Sequence, residues 1–283
     1  MANEAMRQTW AQGGAGWVEH ETIFDAVFAP VTAAILERDA PAPGLRLLDV
    51  GCGSGTLLEA GARAGADVVG VDISPVMARA ARARVPSATV LVADAQSADL
   101  LVEAPGEPFD RVVSRFGVMF FDEPAAAFAN LRRCSAPGAR LVFACWRGVA
   151  ENPSFTAGTE LLVARMDPRP EPPPPGAPGP MAFADGERLR GLLTAAGWGS
   201  VAVDPFDFTG VYGSGDSDGV AERMAVILST SGGRLARAQL EPRLGEEGWA
   251  SLLEEVRAEV RTHLVDGVVQ LPGATWLVSA TNS

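Results

Sequence analysis

Apolar positions along this chain recur at two different periods, and the switches between them lay out a fold. From residue 3 to residue 38, Trp17, Ile23, Phe24, Val27, Phe28, Val31 and Ile35 keep mostly to spacings of three and four, which predicts helix. Pro41-Ala-Pro43-Gly44 ends that segment. Short apolar runs then alternate with helical stretches: strand 45–50, helix 56–64, strand 67–72, helix 75–84, strand 88–93, strand 109–114, helix 122–134 and strand 139–146. Ser74 stands as N-cap of the second of these helices, with Pro75 at its first position. After Trp146 the pattern loosens. Residues 167–180 hold so many prolines that neither helix nor ladder is expected there. Phe183–Ala196 reads as helix, Ser200–Phe208 as strand, 220–262 as helix in two or three pieces, and Ala274–Ala280 as a final strand. Strands with little polar alternation suit burial on both faces. The whole predicts an α/β fold, a Rossmann-like, doubly wound, mostly parallel seven-stranded sheet with helices on both faces.

Between the first strand and its helix runs Asp49-Val-Gly51-Cys52-Gly53-Ser-Gly55. Glycine alone makes such a turn without steric cost, and its missing side chains let a ligand approach the backbone beside a helix N-terminus. A second acid, Asp72, ends the next strand, 21 residues after Gly51, about where a carboxylate meets the ribose hydroxyls of an adenosine-bearing ligand. A dinucleotide fingerprint requires Gly-x-Gly-x-x-Gly. Here Thr56 stands at the third position and the glycine comes one residue early, so a dehydrogenase is disfavoured.

Composition removes further classes. The net charge of −12 argues against a nucleic-acid partner. All 23 basic residues are arginine, which excludes a Schiff-base lysine and a Walker-A lysine. Three cysteines without metal-ligand spacing suit a reducing compartment. With no visible signal peptide and no apolar run approaching the ~18 residues of a membrane span, the expectation is a cytoplasmic protein without a membrane partner.

The turn, together with Val71-Asp72-Ile73-Ser74, resembles motif I and the second strand of the class I S-adenosylmethionine-dependent methyltransferases. Ala93-Asp94-Ala95 resembles that family's adenine-contacting acidic turn, and Phe109 to Phe121 its fourth strand and following loop. The wording of that block, with Trp17 and His20 upstream, is most similar to bacterial small-molecule enzymes of the ubiquinone/menaquinone-biosynthesis-like branch. The likeness is good over about residues 10–147 and thinner beyond. It implies S-adenosyl-L-methionine as cofactor and S-adenosyl-L-homocysteine as product. The alternation and its breaks divide the chain into an N-terminal helical cover (1–38), a cofactor-binding core (39–147), a Pro-rich connector or lid (148–181), a core continuation (182–210), a helical cap insertion (211–272) and a final core strand (273–283).

The same resemblance implies roles. Asp49, Gly51, Cys52, Gly53 and Gly55 form the turn whose N–H and carbonyl groups meet the methionyl and ribose portions. Asp72 takes both ribose hydroxyls, which favours its ionised form. Ile73 and Met77 flank the adenine, Asp94 and the Ala95 N–H address its edge, and Trp17 closes over the cofactor. Ser114 and Arg115 end the fourth strand beside the methionine moiety, with Arg115 expected to turn toward a carboxylate. Phe116 and Phe120 are candidates for the acceptor wall. His20 is the candidate base, against the plainer reading of a local hydrogen bond. Asp122 and Glu123 read as helix caps, and no metal is expected.

Methyl transfer to an O, N or C nucleophile of a small molecule, a secondary metabolite or short peptide, is the activity implied. A scaffold that binds the cofactor without methylating is the alternative, since function lives in the acceptor site. A homodimer is an open possibility, because Met224, Ile227 and Leu228 recur at helical spacing and suit either a cap or a dimer face.

Overall fold

The computed structural model describes residues 3–283, leaving aside the side chains of Ala5 and Gln12. Residues 1 and 2 of the expected N-terminal cover lie outside the described residues. The cover divides into α1 (Glu4–Glu19), α2 (Glu21–Val27) and α3 (Ala29–Arg38). Then come β1 (Arg46–Val50), α4 (Thr56–Arg63), β2 (Asp67–Asp72), α5 (Pro75–Arg84), β3 (Thr89–Val92), the short α6 (Leu100–Glu103), β4 (Phe109–Arg115), α7 (Pro124–Arg133) and β5 (Ser135–Trp146). The second half adds α8 (Thr159–Ala164), α9 (Gly186–Ala195), β6 (Gly199–Val211), α10 (Val220–Ser229), α11 (Ser231–Arg261), β7 (Leu264–Val265) and β8 (Val268–Thr281).

The main sheet runs β3-β2-β1-β4-β5-β8-β6, with β7 pairing only with the start of β8. Pairings from β3 across to β5 are parallel, and β8 is antiparallel to both its neighbours. The order reverses between β1 and β4, and ligands of open α/β sheets sit at such a switch point, beyond the carboxyl ends of the strands. All five residues of β1 are buried, as a strand with both faces covered requires. Helix α4 packs on β1, β2 and β4 and α5 on β2 and β3, while α3 lies against β4, β5, β6 and β8.

Element ends follow local chemistry. Ser74 Oγ accepts from the Met77 N–H, and α5 stops at Val85 before Pro86. Helix α9 begins at Gly186 rather than at Phe183, because Asp185 accepts from the N–H groups of Glu187 and Arg188 and fixes the N-cap there. Residues 167–180 form neither helix nor strand. The 220–262 stretch is two helices, and the second breaks direction at Gly245, whose φ is 71°. The final strand starts at Val268, earlier than the apolar run 274–280 indicates, because its first residues pair with β7 and with the extended end of β6.

Above the sheet, α10 and α11 pack together and α11 rests on α8, while α1 spans from α5 to α10. The glycines of α1 allow that approach. A Cβ at Gly14 would stand 2.8 Å from Ser74 Oγ, and one at Gly16 would stand 3.1 Å from the Ser229 carbonyl oxygen. Among the described residues no helix is long and apolar enough to cross a membrane.

Candidate functional site

A cavity of about 510 Å³ opens at the switch point, within the range of small-molecule sites. Its floor is the glycine turn. Gly51 has φ 66°, and a Cβ there would lie 2.6 Å from Gly117 Cα, so β1 and the segment after β4 meet backbone to backbone. Ser114 secures that junction: its Oγ donates to the Val50 carbonyl at 2.7 Å and accepts from the Gly117 N–H at 3.1 Å. Gly51→Ala is therefore expected to destabilise the fold by roughly 3 kcal/mol or more, through both left-handed strain and a backbone clash. A denaturant midpoint equal to wild type would show that the junction yields.

The turn uses its donors internally. Gly51 N and Cys52 N both donate to the Val71 carbonyl, Gly53 N to Asp72 Oδ2, and Gly55 N to the Cys52 carbonyl. The expectation that these N–H groups meet a ligand is corrected: what these residues offer the cavity is carbonyls and bare Cα surface. At the first residue of α4, Thr56 Oγ1 donates to Asp25 Oδ1 at 2.6 Å, so an internal carboxylate stands beside this helix start. That position disfavours a phosphate there.

Three acids come together at the ends of β1, β2 and β3. Asp49 is 2% exposed and its Oδ1 has no partner. Burial, opposed by Arg115 and reinforced by Asp72, pushes its carboxyl up to about 8. Asp72 accepts from Gly53 N at 2.9 Å and Ser74 N at 2.8 Å. Even so, burial outweighs those two bonds and raises its carboxyl to about 6. The two backbone donors favour the ionised form, but desolvation is the larger effect. Asp94 accepts from the Gln96 N–H through Oδ1 and leaves Oδ2 buried without a partner. These unpartnered oxygens fit a ligand with amine and hydroxyl donors along this edge, as S-adenosylmethionine has. Cys52 is buried, and burial first, then the two neighbouring acids, raises its thiol well above the usual value, which disfavours the thiolate there.

Arg115 turns away from the strand end toward Asp25 Oδ1 at 3.4 Å and donates to Thr32 Oγ1 at 2.8 Å, in line with its expected pairing to an acid. Burial lowers its pKa, with Asp25 opposing. Burial pushes Asp25 up as well, but Thr56, Arg84 and Arg115 outweigh it and hold the carboxyl below its usual range.

Of the residues singled out from sequence, Trp17, Asp49, Gly51, Cys52, Gly53, Asp72, Ile73, Met77, Asp94, Ala95, Arg115, Phe116 and Phe120 line the cavity. Gly55, Ser114 and His20 do not. Gly55 instead takes φ 93° as the N-cap of α4, close against Ala81. His20 sits at the break between α1 and α2, where its carbonyl accepts from Ile23 and Phe24 N–H groups. It is therefore corrected from candidate base to a helix-junction residue. Of the two acids read as helix caps, Glu123 takes the N-cap position of α7 and Asp122 does not. Asp122 accepts from Asn3 N at 2.6 Å, Glu123 N donates to Gln96 Oε1, and the Glu123 side chain makes no cap bond. Among the described residues, no group of three or more His, Cys, Asp or Glu stands together as a metal site.

The far wall is aromatic. Phe116, at φ 68°, stacks on Trp146 with centroids 4.5 Å apart, and Trp146 meets Phe155 edge-on at 5.1 Å. Trp17 stacks on Phe24 at 3.9 Å, and Trp10 meets Phe120 edge-on at 5.1 Å. Sequence reasoning did not single out Trp10, and it missed Phe28, Trp146, Tyr212 and Arg223. These come from four separate elements or their edges, and no local spacing joins them. Chemically, the cavity combines an acidic edge with an apolar, aromatic chamber.

A family model described as "Methyltransferase domain" matches residues 48–143. A ubiquinone biosynthesis O-methyltransferase from Cereibacter sphaeroides is 32% identical over 187 residues, 63% of this chain and 70% of that one. A demethylmenaquinone methyltransferase from Renibacterium salmoninarum is 33% identical over 132 residues, 47% of this chain and 54% of its own length. The chain spans about half the length of several curated relatives that it matches. In fold it is similar to phosphoethanolamine N-methyltransferase 2 of Haemonchus contortus, solved with S-adenosyl-L-methionine, at TM-score 0.54 and 19% identity over 99% of this chain and 59% of that one.

Proposed function

The chain belongs to the class I S-adenosylmethionine-dependent methyltransferases, with S-adenosylmethionine as its cofactor, and on that footing we propose that it methylates a nucleophilic O, N or C atom of a small molecule. The observation that carries this reading is a single cavity with an acidic edge at β1–β3 and an aromatic chamber reached past β4.

When bound, the cofactor supplies an electrophilic methyl group on a sulfonium. Asp72 would hold the ribose, Ile73 and Met77 the adenine faces, Asp94 and the Ala95 backbone the adenine edge, and Asp49 the methionine ammonium. The lid formed by α1 closes the site through Trp10 and Trp17. What the protein contributes to rate is orientation and exclusion of water, and positioning alone supplies effective molarities of ~10⁵ M or more. With His20 outside the cavity, the reading favours an acceptor that is already nucleophilic at working pH, or one that gives its proton to water. A secondary-metabolite role in a reducing, cytoplasmic setting, without a metal, belongs to the same proposal.

Calorimetry with S-adenosylmethionine followed by a radiolabelled-methyl screen of phenols, amines and carboxylates tests it. Micromolar binding and label transfer to at least one acceptor class are expected. Binding without label on any acceptor would identify a cofactor-binding scaffold instead. No binding at millimolar cofactor would end the reading altogether.

A further inference from the structure

Arg223 on α10 lines the cavity and is 2% exposed. Its Nη2 donates to the Ser154 carbonyl at 2.8 Å and the Ala157 carbonyl at 2.7 Å, and its Nη1 donates to Tyr212 Oη at 3.3 Å. The guanidinium carbon lies 5.3 Å from the centre of the Tyr212 ring. Its Nε is buried without a partner. Among the described residues, no carboxylate stands within ion-pair distance of it. Of the other arginines that line the cavity, Arg115 has Asp25, and the half-buried Arg234 donates to the Ser229 carbonyl.

A buried charge without a counter-ion is strongly unfavourable, by several kcal/mol even after relaxation. Two carbonyl dipoles, a hydroxyl and a ring face offset part of that and fix the guanidinium in place. They leave the net charge uncompensated. Its position also matters. Ser154 and Ala157 follow β5, and Tyr212 follows β6, whereas Asp49, Asp72 and Asp94 lie at β1, β2 and just after β3. In the sheet order these two groups fall on opposite sides of β4. The cavity is therefore polarised, acidic where the cofactor is placed and cationic at the acceptor end. Between the two ends lies the Phe116–Trp146 stack.

We infer that the acceptor is a ring-bearing, largely apolar carboxylate whose carboxylate meets Arg223 while its rings lie against Phe116, Trp146 and Phe155. This deepens the methyltransferase reading and rests on it. Arg223 orients the acceptor. It takes no part in bond making, and the free Nε–H is the donor it holds for the carboxylate. The arrangement also discriminates. A cationic amine in the same chamber would meet a fixed positive charge in a low-dielectric wall, and a neutral isostere would leave the guanidinium uncompensated.

The test uses the full chain saturated with S-adenosylhomocysteine and titrated calorimetrically with 2-naphthoate, 2-naphthamide and 2-naphthylmethylammonium. The anion is expected to bind about tenfold or more tighter than either of the others, the effect of one hydrogen bond between charged partners. Arg223→Gln is expected to erase that preference and Arg223→Lys to keep part of it. Equal affinity for the three probes, absence of naphthoate binding at millimolar concentration, or a preference surviving in Arg223→Gln would each overturn the inference. Should the variants fail to fold, the wild-type ranking decides by itself. Failure of S-adenosylhomocysteine to bind would instead sink the methyltransferase reading, so the two failures are distinct.

Discussion

Asp72→Ala is expected to weaken S-adenosylmethionine binding by about tenfold or more and to lower stability by on the order of 2 kcal/mol. The first effect follows from losing the carboxylate placed to receive the ribose hydroxyls. The second arises because the same carboxylate holds the Gly53 and Ser74 N–H groups, and both donors lose their partner in the variant. Those two donors belong to the glycine turn and to the N-cap of α5, so the side chain ties together the two elements that flank the cofactor. Asp72→Asn keeps one acceptor oxygen and is expected to fall between wild type and alanine in both measurements. Calorimetry and urea unfolding check the pair. An unchanged dissociation constant in Asp72→Ala would remove the residue from the site.

Asp49 gives a pH-dependent counterpart. Its carboxyl, ordinarily at 3.8, is raised to about 8, with burial as the first cause. The ligand-free protein therefore carries a proton on Asp49 at neutral pH. A ligand ammonium beside it favours the ionised form, so binding releases that proton. S-adenosylmethionine affinity is expected to rise as pH goes from about 6 to about 8, approaching one decade per pH unit at the lower end. Asp49→Asn is expected to flatten that profile and to lower affinity about tenfold at pH 8. Stability runs the other way. Because the folded-state value lies above the unfolded one, the folded chain binds this proton more tightly, and stability declines as pH rises between about 4 and 8. Asp49→Asn is thus expected to be more stable than wild type at pH 8, by on the order of 2 kcal/mol, with the gap closing toward pH 4. An affinity that is level from pH 6 to pH 8 in the wild type would contradict the assignment.

The alternation of strands and helices was legible because each strand of β1 to β5 carries a short apolar run, such as Leu47-Leu48, Val68-Val69 or Leu141 to Trp146, with glycine, proline or a cap nearby. Ser74-Pro75 marked the start of α5 to the residue, since an N-cap bond is made within four residues of chain. The start of α9 was misplaced for the complementary reason: Asp185 outcompetes the apolar Phe183 by supplying a cap. The glycine turn, Asp72 and Asp94 were readable as a cofactor edge. Protonation was not, because Asp49 and Asp72 owe their raised values to burial, which is set by tertiary packing and which no local spacing announces.

Residues of the acceptor end were the least legible. Trp146 is scores of residues from Tyr212 and Arg223 in the chain, and the three line one cavity only because β5, β6 and α10 converge beside the switch point. His20 shows the converse. It has the right chemistry on a covering helix, yet the chain breaks between α1 and α2 at that residue, and the imidazole does not reach the cavity.

By itself the sequence determined the fold class and the strand-turn-helix that receives a nucleoside, because both are written in short-range periodicity and in a turn built on glycines, while the cofactor family came from the resemblance of Asp49 to Gly55, Asp72 and Asp94 to known methyltransferase motifs. Only the tertiary structure decided which acids are desolvated, which N–H groups of the turn are already used, and that an unpaired arginine faces an aromatic chamber. Those are consequences of packing between distant segments, and desolvation and charge compensation are set by everything that surrounds a group rather than by its neighbours in the chain.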